Sequence, residues 1–201
     1  MSIARFSSKT LFTSKTFENG DKYDGEWLGG VPHGAGTYVW SDGSQYDGEW
    51  LNGCKHGAGK YVWPSGAAYE GDWVEGAMHG MGTYQGTDGE NYTGGWVHDV
   101  KSGFGNKVYA NGDSFKGLWK NGMADGPGIY KWVDGNEYNG DWMAGNMHGR
   151  GVFVWKRGER YDGEWAHGRE HGAGVFTWPD GSMYEGTWEN GLKEGEGWWV
   201  E

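Results

Sequence analysis

The amino-acid sequence predicts an all-β fold, an elongated single-layer antiparallel β-meander, twisted and grooved in the manner of a solenoid. Three observations carry that prediction. An aromatic, a glycine and a tryptophan recur on alternating positions eight times at a spacing of 23 residues. The series runs from Tyr23-Gly25-Trp27 and Tyr46-Gly48-Trp50, through Tyr69, Tyr92, Phe115, Tyr138 and Tyr161, to Tyr184-Gly186-Trp188. Glycine keeps fixed places in the period, and those places account for 39 of the 42 glycines, so the richness is architectural and not linker-like. A turn dipeptide ending in glycine recurs with the period: Asn19-Gly20, Asp42-Gly43, Ser65-Gly66, Asp88-Gly89, Asn111-Gly112, Asp134-Gly135 and Asp180-Gly181.

Positions are counted here as slots from the aromatic, which is slot 0. Tyr23-Asp24-Gly25-Glu26-Trp27 alternates with period two and reads as a strand, its aromatics on one face and its acids on the other. A six-residue connection leads to a second strand over 34–40, which ends in Tyr38-Val39-Trp40. The turn dipeptide follows, its glycine supplying the positive φ that a tight hairpin turn needs. Each repeat is thus one hairpin. Pairing Tyr23 with Tyr38 sets Trp27 against Gly34, and continuing across the next turn sets Trp40 against Tyr46 and Trp50 against Gly36. Every slot-4 tryptophan then has glycine on both neighbouring strands, a large ring laid over bare backbone. At about 4.8 Å per strand, eight repeats would extend roughly 75–80 Å.

The domain reading is one eight-repeat domain at 18–201 preceded by a lead at 1–17, with a leading strand over 11–17 that puts Phe17 one period before Trp40. The lead carries Arg5, Lys9 and Lys15, no acid and many Ser and Thr, a weak match to a transit peptide; the strand register is the preferred reading. The expected location is cytoplasmic, with peripheral membrane association or a plastid as the alternatives.

The quoted residues resemble the MORN repeat (membrane occupation and recognition nexus), whose pattern is roughly Tyr-x-Gly-x-Trp-x-x-Gly-x-x-His-Gly-x-Gly. The resemblance covers eight copies over about 18–201. Stretches such as ANGDSFKGLWKNG and YVWPSGAAYEGDW are most similar to plant MORN proteins and to the MORN region of plant phosphatidylinositol-phosphate 5-kinases. It implies a non-catalytic, groove-shaped module that scaffolds proteins or sits near membranes, with protein binding or phospholipid binding as its uses. The fourth repeat departs from the pattern at Asp99 and Ser102, the fifth at Phe115 and Asp125.

Charge and cysteine content narrow the classes further. The formal charge is −11, with ten acids against Lys55 and Lys60 over 23–91, and five acids balanced by five lysines over 92–137. Such a surface argues against nucleic acid and against whole-protein contact with an anionic membrane. One cysteine, Cys54, excludes an internal disulfide and fits a reducing compartment. No apolar run approaches the ~18 residues of a membrane span.

No constellation reads as catalytic. The pairs Asp24/Glu26, Asp47/Glu49, Glu70/Asp72 and Asp162/Glu164 have the spacing of paired catalytic carboxylates. They repeat on the face opposite the aromatics, so a solvated face is the better reading. The slot-10 histidines His33, His56, His79, His148 and His171 stand about 10 Å apart, too far to share a metal. Each is expected to bond backbone or stack on a neighbour, while His98 and His167 fall outside this ladder with no evident partner. Gly-x-Gly never extends to a phosphate-binding loop. No enzyme, cofactor or metal is therefore expected. The binding candidate is the aromatic groove of Tyr38, Trp40, Tyr61, Trp63, Tyr84, Tyr109, Tyr130, Trp132, Phe153, Trp155, Phe176 and Trp178, suited to a protein partner or self-association. A basic patch of Lys101, Lys107, Lys116, Lys120 and Lys131 is the candidate for anionic phospholipid, and repeats 4 and 5 (92–137), where the aromatics thin, are the expected seat of specificity.

Overall fold

The computed structural model describes residues 11–200, and among them every regular element is a β-strand. The seventeen strands are β1 (Leu11–Thr16), β2 (Lys22–Leu28), β3 (Val31–Val39), β4 (Gln45–Leu51), β5 (Cys54–Val62), β6 (Ala68–Val74), β7 (Ala77–Gln85), β8 (Asn91–Val97), β9 (Val100–Val108), β10 (Ser114–Lys120), β11 (Met123–Lys131), β12 (Glu137–Met143), β13 (Asn146–Val154), β14 (Arg160–Ala166), β15 (Arg169–Thr177), β16 (Met183–Glu189) and β17 (Leu192–Val200). The all-β antiparallel meander is thus the fold. The contacts divide into two compact units, one of residues up to Thr87 with Gly95–Val100, the other of Asp88–Gly94 with Lys101 onward. In the first unit β1 to β7 pair antiparallel in chain order. In the second, β9 to β17 do the same.

Each repeat has a long second strand, and the six-residue connection expected from sequence is a two-residue turn. Slots 6 and 7 both take positive φ, as at Asn52 (51°) with Gly53 (83°) and Asn190 (53°) with Gly191 (85°). This is the type I′ geometry that matches the twist of a hairpin. The second strand then starts at slot 8 and passes through a register shift, for example between Gly48 and Glu49. The slot-11 glycine takes the strain of that bulge: Gly57 has φ +56°, and the carboxylate of Glu49 lies where its Cβ would be. Glu49 Oε1 accepts the Ala58 N–H at 3.2 Å, and Glu26, Asp72 and Asp141 do the same for Ala35, Met81 and Arg150. In repeats 1, 2, 3 and 6 the slot-3 acid thus holds a bulge, a local reason for a carboxylate there beyond solubility.

The register differs from the sequence reading in what covers the glycines. Tyr23 does pair with Tyr38. The bulge then sets Trp27 against Pro32, not Gly34. Across the next turn Tyr38 pairs with Tyr46, which sets Trp50 against Gly34, not Gly36, and on its other side Trp50 faces Lys55. Tryptophan therefore meets glycine on one neighbouring strand only. The slot-2 and slot-13 glycines instead pair with each other: Gly25 with Gly36, Gly36 with Gly48, and Gly48 with Gly59. The slot-0 ring lies over this stripe. A Cβ on Gly59 would stand 2.2 Å from Tyr46 Oη and 2.4 Å from Cζ, and Gly36 meets Tyr23 in the same way. The glycines are there for the tyrosines.

The core follows from that arrangement. Tyr23, Tyr46, Tyr69, Tyr92, Phe115, Tyr138 and Tyr161 are fully buried and the slot-4 tryptophans nearly so. Tyr23, Tyr46, Tyr69, Tyr138 and Tyr161 each donate to a carbonyl three residues on, as Tyr46 does to Glu49 O at 3.0 Å, and burial pushes the phenols up, Tyr92 to about 12. Slot-4 indoles stand edge-on to two slot-0 rings, as Trp73 does to Tyr69 and Tyr46 at 5.1 and 5.4 Å. Except at Trp188, the indole N–H donates back to a slot-13 carbonyl, as Trp50 does to Gly36 and Trp73 to Gly59, so that tryptophan straps one hairpin to the one before. Edge-on aromatic pairs contribute roughly 0.5–1.5 kcal/mol beyond their buried area.

Candidate functional site

Outside the buried rings the same face carries a second, half-exposed series at slots 15 and 17. In the first unit Tyr38, Trp40, Tyr61, Trp63 and Tyr84 touch in succession at centroid separations of 4.5, 5.4, 4.8 and 5.8 Å. In the second, Tyr109, Tyr130, Trp132, Phe153, Trp155, Phe176 and Trp178 do so at 5.7, 4.5, 5.1, 4.5, 5.4 and 4.7 Å. Trp178 then stacks on Trp199 at 5.2 Å. All twelve groove residues read from the sequence lie in these two stripes. Only Phe153 is fully buried; the others keep part of a ring exposed. Phe17 stacks on Tyr38 and extends the first stripe by one ring.

The floor between the stripe and the buried rings is set by slot 9, which sequence reasoning did not single out. A slot-9 lysine stands among these rings, at Lys55 those of Tyr46 and Tyr61 in its own repeat and Trp73 in the next. Lys55 occupies that box with its ammonium 3.8 Å from the Trp73 centroid and 4.5 Å from Tyr61. Burial lowers its pKa to about 8, against the favourable field of Asp99. Lys101 takes the same place beside Tyr92 and Trp119, and Lys193 lies over Tyr184, Trp199, Trp178 and Trp188; burial lowers both. A cation over the ring face is attracted by the quadrupole. The lysines were legible only as charge, because the second strand was expected to start at slot 11; it starts at slot 8, and pairing Lys55 with Trp50 sets slot 9 on the aromatic face.

The five lysines of the predicted basic patch do not form one surface. Lys101 and Lys107 lie on the aromatic face, where Lys107 pairs with Glu90 at 2.8 Å and covers Tyr109 at 4.4 Å. Lys116 and Lys120 are exposed on β10, alternating with the buried Phe115 and Trp119 and so on the other face. Lys131 bridges to Glu137 at 3.0 Å. Alternation along the strands splits the patch, because lysines close in sequence differ in parity.

Two histidine readings change as well. His33 Nδ1 accepts the Asn52 N–H at 3.5 Å, in keeping with a backbone role. His98 and His167 do have partners: their rings meet His79 at 5.2 Å and His148 at 6.3 Å. The slot-6 turn residue of one repeat stands over the slot-10 histidine of the previous one, a contact that only the stacked turns reveal. Asp99, in place of the usual glycine, accepts the Met78 N–H at 2.8 Å while its own N–H meets the Met78 carbonyl at 3.0 Å. Its departure from the pattern is a tie between repeats. Among the described residues no group of three or more His, Cys, Asp or Glu could hold a metal. The paired carboxylates line nothing enclosed; Glu70 edges a shallow depression of about 330 Å³ and meets Lys60 at 3.6 Å.

Stacked hairpins with neighbour-only pairing, a glycine stripe under buried tyrosines and an outer aromatic stripe define a β-repeat protein of the hairpin type. The MORN repeat model matches residues 23–45, 46–68, 69–90, 92–114, 115–137, 138–160, 161–183 and 184–200, and the chain belongs to the MORN-repeat family. Among solved structures it is similar to the G-box domain of the microcephaly protein CPAP, described as suggesting a role in centriole elongation. The identity is 12%, with 95% of this chain and 99% of that one covered and a TM-score of 0.56. The TCP domain of Drosophila melanogaster SAS-4 (dCPAP), in complex with a proline-rich motif of Ana2 (dSTIL), matches at 10% identity over 88% and 89% of the two chains, TM-score 0.47. At such identity the G-box likeness speaks for the fold alone. No curated protein matches the chain.

Proposed function

We propose that this chain is a non-catalytic interaction module that uses its outer aromatic stripe to bind an extended segment of a protein partner, or of a second copy. The observation that carries the reading is the stripe itself. Its rings contact one another in unbroken succession within each unit, yet all but Phe153 stay partly exposed. The slot-0 and slot-4 rings already supply the buried core. A contiguous exposed apolar surface beyond what the core needs is characteristic of an interaction face.

Replacing Trp132 and Trp155 together by alanine is expected to abolish capture of the partner and any concentration-dependent self-association seen by light scattering. The β-sheet circular dichroism is expected to persist. Undiminished capture by the folded double variant would refute the reading. The lipid alternative draws on lysines that stand on two faces, with Lys107 and Lys131 already paired to acids. A protein segment is therefore the favoured ligand; salt-sensitive pelleting with phosphoinositide vesicles, lost in Lys101→Glu/Lys116→Glu, would reverse that preference.

A further inference from the structure

The seventh repeat lacks an internal partner that equivalent repeats possess. At slot −2 four repeats carry an acid: Asp21, Glu90, Asp113 and Glu159. The first three each receive a donor from slot 15. Tyr38 Oη donates to Asp21 and Tyr130 Oη to Asp113, both at 2.8 Å, and Lys107 pairs with Glu90 at 2.8 Å. Asp21 and Asp113 also accept the slot-18 backbone N–H, from Ser41 and Val133. Beside Glu159 both donors are missing from the covalent structure: slot 15 is Phe176, and slot 18 is Pro179, which has no N–H. Glu159 Oε2 is buried with no hydrogen-bond partner. A buried carboxylate oxygen left unmatched is costly.

The slot-9 box of the same repeat is acidic as well. Repeats 2, 4 and 8 fill it with their own ammoniums, Lys55, Lys101 and Lys193. Repeat 7 puts Glu170 there instead, close enough to Tyr161 to raise its pKa. No ion pair reaches Glu159 or Glu170 among the described residues: Arg160 turns to Asp162, and Lys193 is held over Trp199, Tyr184 and Trp178.

Building on the stripe as a peptide-binding face, we infer that repeat 7 is a cation site that takes a lysine or arginine side chain of the bound partner segment. The ammonium would sit on Glu159 as Lys107 sits on Glu90, beside the exposed part of Phe176. Charge complementarity supports the choice, since the chain is acidic overall and Glu170 adds a second acid to the same repeat.

The test uses the full chain and two blocked peptides of about ten residues, alike except for a central lysine or glutamine, titrated by calorimetry. The lysine peptide is expected to bind about tenfold tighter. That preference should vanish in Glu159→Gln/Glu170→Gln and in Phe176→Lys, which installs the Glu–Lys pair of repeat 4 internally. Phe176→Lys should also raise the melting temperature, since it neutralises Glu159. Equal affinity for the two peptides, no binding of the lysine peptide at about 1 mM, or a preference untouched by the variants would overturn the site. Trp132→Ala/Trp155→Ala separates this from the broader reading. A lysine preference that survives it, still sensitive to Glu159, keeps the site while the stripe fails; binding lost there but indifferent to lysine keeps the stripe and removes the site.

Discussion

Gly59→Ala tests the packing rule at its tightest point. The added Cβ would stand 2.2 Å from Tyr46 Oη, 2.4 Å from Cζ and 2.5 Å from Cε2. None of those atoms is the loose end of a flexible chain. Tyr46 is fully buried, wedged edge-on between Trp50 at 5.1 Å and Trp73 at 5.4 Å, and its hydroxyl donates toward Glu49 O at 3.0 Å and His56 O at 3.2 Å. The ring must therefore shift as a body. Overpacking of this kind costs about 1–3 kcal/mol. Pulling a buried hydroxyl off its acceptors adds about 1–3 kcal/mol. The sum, about 2–6 kcal/mol, is a large share of the ~5–15 kcal/mol that domains possess. Urea unfolding followed by tryptophan fluorescence measures it. The cause is isolated by repeating the substitution in a Tyr46→Leu background, where the shorter side chain clears the space and the further loss should fall to about 1 kcal/mol. A loss below about 1 kcal/mol for Gly59→Ala alone, or the same loss in both backgrounds, would refute the claim that the glycines serve the tyrosines.

Two titrations give opposite slopes. Asp113 is held below the ordinary aspartate range, first by the Val133 N–H and then by Tyr130 and Asn111, so its contribution is present above about pH 4 and lost as pH falls through its lowered value. Asp113→Asn should flatten the acid limb of a melting-temperature profile; an unchanged limb would count against the assignment. Lys55, lowered to about 8 by burial, leaves the unfolded chain binding more protons above that value, so stability should rise from about pH 8 toward 10. The raised phenols reverse the trend only above about pH 10, where unfolded tyrosine ionises. Lys55→Met should diminish the rise, leaving the share of Lys101 and Lys193, which burial also lowers; an undiminished rise would show that the Lys55 amine is solvated.

Much of the fold was legible because a period of 23 residues repeated eight times leaves few alternatives to a stack of hairpins. Strand parity alone put the slot-0, slot-4, slot-15 and slot-17 aromatics on one face. What sequence could not supply was the bulge. Two extra residues on the second strand, Gly57 and Ala58 opposite the Gly48–Glu49 step for example, change which residue opposes each tryptophan and bring slot 9 against it. Once those residues are miscounted, glycine is credited to tryptophan and Lys55 is read as solvent-facing charge. The lysines at 101–131 illustrate the same limit, since a cluster in sequence is divided by alternation between two faces.

The departures from the pattern therefore carry unequal weight. Asp99 breaks the glycine rule yet completes a hydrogen-bond pair with Met78, and Lys107 breaks the aromatic rule yet completes an ion pair with Glu90. These two irregularities of repeat 4 are resolved inside the chain. Repeat 7 looks regular by its aromatic slots, with Tyr161, Trp165, Phe176 and Trp178 all in place. Its irregularity lies in a pair of slots taken together: an acid at 159 whose two customary donors have been replaced by phenylalanine and proline. In a repeat protein the informative position is not the one that differs from its column, but the one whose cross-strand partner fails to answer it.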